Sequence, residues 1–157
     1  MNSACNRIAD QLASTINGEA WYGDSLHKIL ANVTATQASA HPVPDLHSIW
    51  QLVHHMNAWV NFALRAMQGV PIPAWSSMPE HVDWPPVSDM SDEAWKRATE
   101  SFFSSYLLLQ EAITKFDDDR LDAIVPGRNY DFYRLFHSMI QHAVYHSAQI
   151  ALLKKAI

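Results

Sequence analysis

Residues 46–69 read LHSIWQLVHHMNAWVNFALRAMQG, and the spacing of the apolar residues in this stretch decides the fold class. Ile49, Leu52, Val53, Met56, Trp59, Val60, Ala63 and Met67 recur with the 3.6-residue period of a helix, not the two-residue alternation of a half-buried strand. The segment therefore reads as a helix of about six turns that buries one stripe and stops at Gly69. Its start is placed near Leu46, because His41-Pro42-Val43-Pro44-Asp45 cannot continue a helix. Proline lacks the amide hydrogen and restricts the residue before it.

Three further helical stretches surround this one. Upstream, Ile8, Leu12 and Ile16 are spaced by four up to Asn17-Gly18; Leu26, Ile29, Leu30 and Val33 resume after Gly23-Asp24, which describes an interrupted first arm. Downstream, Val70 to Asp89 holds five prolines with Trp75 and Trp84 and shows no period, so it reads as a long aromatic surface loop. Ser91-Asp92-Glu93 then supplies a capping hydroxyl and first-turn acids for a helix through Trp95 to Phe116. After Pro126-Gly127 a last helix runs from about Asp131 to Lys155. With only four glycines available for tight turns, the expected class is all-α: a four-helix bundle with an interrupted first arm, in one domain spanning residues 1–157.

Composition narrows the function. The charge of −5 and the scattered Lys and Arg residues leave no basic stripe to neutralise phosphates, so nucleic acid is not an expected partner. The lone Cys5 cannot form an intrachain disulfide, and no signal-peptide pattern or apolar run of about 18 residues is present. A cytoplasmic location without membrane insertion is expected. Cys5 itself reads as a small half-buried helix residue with no chemical role. The apolar residues between Ala94 and Leu109 exceed one inward stripe, and a homodimer is expected from that excess.

Among nine histidines, His142 and His146 have the most informative spacing, since residues four apart differ by about 40° around a helix and share a face. Two neutral imidazoles one turn apart can converge on a divalent ion at about 2.0–2.1 Å. A third ligand could come from His54 or His55. These point about 100° apart, and phase favours His55, which shares its face with Leu52, Met56 and Trp59, although spacing does not exclude His54. His27, His41, His47, His81 and His137 are read as solvated or capping residues; His137 lies nearly opposite His146.

Three stretches resemble the DinB-like superfamily. They are Arg7 to Leu12 with Gly18-Glu19-Ala20-Trp21; His47-Ser48-Ile49-Trp50-Gln51-Leu52-Val53-His54-His55 with Trp59; and His142-Ala143-Val144-Tyr145-His146-Ser147-Ala148-Gln149-Ile150. The resemblance spans nearly the whole chain. It implies that a histidine after the Leu-Val-His run and the two histidines of the last helix bind a metal, which corresponds to His55, His142 and His146 here. Ala148 departs from the family, which often has glycine there, and this puts the local backbone approach in question.

Three protein ligands leave positions open for water or substrate, the arrangement of catalytic sites. Imidazoles suit several ions, with zinc or nickel favoured here. The resemblance implies a thiol-dependent S-transferase acting on a small electrophile, a thiol-dependent isomerase or a metal-dependent hydrolase; the competing reading is a non-catalytic metal-binding or interaction bundle. Because Cys5 is unsuited, thiol chemistry would need a low-molecular-weight thiol as cosubstrate. Glu19, Asp24 and Tyr145 are the available acid–base groups, yet each reads as a helix-end or packing residue, and none is assigned as catalytic. The Trp75–Trp84 loop is expected to be either a lid over an apolar pocket or a partner-binding surface.

Overall fold

A computed structural model describes residues 3–157, the side chain of Trp75 excepted. Its helices are α1 (Ala4–Ile16), α2 (Leu26–Leu30), α3 (Ala35–Ser39), α4 (Ile49–Met67), α5 (Glu80–Asp83), α6 (Asp92–Thr114) and α7 (Phe132–Ala156), with no strand among the described residues. The all-α class is as expected. α1, α4, α6 and α7 form the bundle, and α2 and α3 complete the interrupted first arm.

Capping chemistry sets the boundaries. Ser48 accepts from the Gln51 amide while the Gln51 side chain accepts from the Ser48 amide, so α4 starts at Ile49, not near Leu46. The same reciprocal pair at Thr34 and Gln37 starts α3, which is too short to show a period in the sequence. Ser91 caps α6, and Asp131 caps α7 by accepting from the Arg134 amide. Gly69 ends α4 with φ 89°, a conformation that costs side-chain-bearing residues energy.

Helix directions follow from which residues meet. α4 and α6 run parallel: Trp50 and Trp95, each near its helix start, lie 5.1 Å apart, and Asn57 further along bonds Ser101 and Ser105. α7 is antiparallel to α6, since Phe116 just beyond α6 packs on Phe132 and Phe136. α1 is also antiparallel to α6, because Asp118 accepts from the Ala4 and Cys5 amides at the start of α1.

Parallel neighbours cannot be joined by a tight turn. The chain between α4 and α6, residues 68–91, therefore returns along the length of α4 before α6 begins. This crossover is not the plain surface loop that its prolines suggest: Ile72 and Asp83 are buried and Trp84 is half-buried. One end is fixed where the Ile72 amide donates to Pro126 O at 3.0 Å. Gly127 is needed beside it, since a Cβ there would lie 2.6 Å from Ile72 O.

The core runs through the seam of α1 and α6 and along one side of α7. Leu12, Phe102, Leu109, Ile113 and Phe136 are fully buried there, and Tyr106 almost so. Burying each such side chain contributes about 1.5–3 kcal/mol. Between α4 and α7 the packing opens instead.

Candidate metal centre

α4 and α7 run antiparallel and bring three imidazoles together. The Nε2 atom of His142 lies 3.0 Å from Nε2 of His55 and 3.0 Å from Nε2 of His146. The ligand atoms of all three lie within 4.8 Å of one another, and the group could hold a metal ion. His55 and His146 are buried. Of the adjacent pair on α4, His55 turns inward, while His54 accepts from Trp50 Nε1 at 3.0 Å and has no place in the cluster.

Hydrogen bonds at the far nitrogens decide the tautomers. His55 Nδ1 donates to Asp83 O at 2.8 Å, and the Asp83 carboxylate stands 3.2 Å from the same nitrogen while accepting from Trp59 Nε1 at 2.8 Å. His146 Nδ1 donates to Gln149 Oε1 at 2.6 Å. Since these partners are acceptors, the protons sit on Nδ1, and both Nε2 lone pairs face His142. His142 Nδ1 is buried with no hydrogen-bond partner. A proton on His142 Nε2 can point at only one of the two lone pairs, whereas a cation accepts all three, so the donor set fits a divalent ion.

Burial keeps the three imidazoles neutral. It is the first cause of depression at each: His142 is pushed down to about 3, helped by His146 and His55, and His146 to about 4. His55 is lowered by burial against an opposing contribution from Asp83. Neutral imidazole is the form that binds metal.

The crossover encloses the group. Trp84 stacks on His55 with ring centres 3.9 Å apart and planes 10° apart, and His47 stacks on its other face at 3.5 Å and 8°. A cleft of about 730 Å³ opens from the imidazoles toward solvent. Its walls include Leu52, Trp59, Trp84, Leu135, Met139 and Leu153.

A family model of the DinB superfamily matches residues 20–150. The chain belongs to the DinB superfamily. No curated protein and no solved structure matches it. In this DinB chain Ala148, the departure from the family pattern, is exposed, so its methyl group meets solvent and not a neighbouring helix.

The other sequence candidates fall elsewhere. Tyr145 lines the cleft, whereas Glu19 and Asp24 are exposed and outside its wall. His137 packs on Tyr133, His41 bonds Gln51, and His27 rests on Phe103. His47 is exposed, as expected, and one face of its ring stacks on Trp84. Trp84 does wall the cleft, as a lid reading requires, while the Trp75 side chain lies outside the described residues. Cys5 is buried, and burial together with Asp118 pushes its thiol up to about 12, leaving it protonated at neutral pH.

Asp83 escaped the sequence reading, and Trp84 was read only as part of a lid or partner surface, not as the ring stacked on His55. Both sit in a proline-rich segment without a period, whose signals were its tryptophans and a length greater than a simple connection needs, and neither points to Asp83. Among the described residues, no helix is long and apolar enough to cross a membrane.

Proposed function

We propose that the chain is a metal-dependent enzyme of the thiol S-transferase type, with His55, His142 and His146 as ligands to one divalent ion, zinc or nickel. The supporting observation is the convergence of three Nε2 atoms at an apolar cleft whose described wall residues include no carboxylate. A bound divalent ion supplies Lewis acidity, which lowers the pKa of a thiol or water. Hydrolysis gains from a general base beside the water, and the cleft offers none among Asp and Glu. A thiol, more acidic than water at the outset, needs less help.

In this reading the sulfur of a low-molecular-weight thiol forms a bond to the electrophilic carbon of a small substrate. The leaving group departs with its electron pair, and the thiol proton passes to solvent. The chain's own part is to hold His55 and His146 in their Nδ1–H tautomers through Asp83 and Gln149, and to exclude water with Trp84 and the leucine walls. Cys5 takes no part. A cytoplasmic location suits the unpaired, reduced cysteine, and the exposed Leu107 and Leu108 on α6 support a homodimer.

The test is turnover of a panel of electrophiles with several cellular thiols, by wild type and His146→Ala, alongside elemental analysis of the purified chain. Metal-dependent thioether formation by the wild type alone is the expected result. Metal-dependent ester or amide cleavage without any thiol would favour the hydrolase, and a metal-loaded chain inert in both assays would favour the non-catalytic bundle.

A further inference from the structure

The cleft wall has a chemical bias that the imidazole cluster alone does not dictate. Its polar members besides the imidazoles are Ser138, Gln149, Tyr130 and Tyr145, and no Lys, Arg, Asp or Glu is among its described lining residues. The rim continues the apolar character: Leu46 and Leu152 are 53% and 69% exposed, unusual for leucine. A charge moved from water into such a site loses hydration without meeting an opposite charge among the lining side chains; Arg128 and Arg134, with guanidinium carbons 6.0 Å from the centre of the Trp59 ring and 5.6 Å from that of the Tyr130 ring, are not among them. Anions are penalised further, because the chain carries a formal charge of −5.

We propose that the cleft selects uncharged, largely apolar small molecules and rejects anionic ones of the same shape. Its volume of about 730 Å³ lies within the range of small-molecule sites, roughly 300–1,000 Å³, so the occupant is a small molecule and not a peptide or a second chain. Assigning that occupant as the electrophile rests on the S-transferase reading. The selectivity itself does not, because it is a property of the wall.

A matched pair of fluorescent probes tests this: N-phenylnaphthylamine, which is uncharged, and anilinonaphthalene sulfonate, the same ring system with one anionic group. Both are titrated into the full chain, as purified and after chelation, so that direct ligation of the sulfonate to a metal is separated from binding to the wall. In the chelated chain the uncharged probe is expected to bind at least about 10-fold more tightly. Ser138→Arg, at a half-buried wall position, should bring the sulfonate level with the uncharged probe or above it. Leu152→Arg, exposed enough to leave the fold intact, should act the same way more weakly.

Equal affinity for both probes in the wild type, or a preference that neither arginine alters, overturns the proposal. So does loss of probe binding at concentrations where sedimentation shows a dimer, since a second copy would then cover the cleft. Probe selectivity that persists in a chain unable to take up any metal would discard the metal reading and leave this one standing.

Discussion

The α1–α6 seam and the α4–α7 seam belong to one bundle, yet one is solid and the other hollow. Between α1 and α6 the space is filled by Leu12, Phe102, Leu109 and Ile113, all fully buried, and the buried Cys5 is held as a thiol. Between α4 and α7, three imidazoles and a cleft replace side chains that would otherwise pack. Apolar burial needs only volume and phase, so a solid seam is built from helix periodicity alone. A hollow seam needs polar side chains oriented by partners from a third element, which here is the crossover carrying Asp83 and Trp84. The division of labour is stability in one seam and chemistry in the other.

The sharpest way to break this division is to damage the solid seam. Phe102→Ala should cost about 3–5 kcal/mol in denaturant unfolding while leaving metal uptake per folded chain unchanged. Equal loss of both would show that the seams are not independent. On the hollow side, His142→Ala is expected to weaken metal binding by roughly 100-fold or more in calorimetric titration, and His137→Ala should not change it. Asp83→Asn, which keeps the shape but removes the charge beside His55, should weaken binding by about 10–100-fold. If Asp83→Asn changed nothing, the crossover would be a cover without influence on the ligands.

Acid should find the hollow seam first. In the chelated chain His55, His142 and His146 have folded pKa values below the ordinary 6.5. As pH falls through that value, the unfolded state takes up protons that the folded state refuses. Their contribution is therefore complete above about pH 6.5 and declines as pH falls toward about 4 and then about 3. The decline is about 1.4 kcal/mol per pH unit for each imidazole kept neutral. Asp118, lowered by the α1 amides it caps, acts only further down, below its ordinary 3.8. Chemical unfolding at stepped pH should show the upper window flattened in a His142→Ala, His146→Ala double variant. The smallest effect is expected from Cys5→Ala, which should leave turnover unchanged in any assay that the wild type passes.

The helices of the bundle were legible because each must bury one stripe, and the stripe repeats at 3.6 residues whatever it packs against. Ser91 marked one start through local capping and the Pro126-Gly127 break placed another near Asp131, while Ser48 shows how a cap can overrule an approximate boundary. The pairing of His142 with His146 was legible for the same local reason: one turn of helix sets their relation before any folding occurs. The parallel run of α4 and α6 was not legible, because periodicity records which face is buried and not which way the neighbour runs. Tertiary structure alone brought His55 to within 3.0 Å of His142, put His47 on Trp84, and carried Asp83 to the far side of the His55 ring. Those contacts join residues far apart in the chain, and no local spacing encodes them: the first exists because α7 packs antiparallel on α4, the other two because a crossover between parallel helices must pass back along α4.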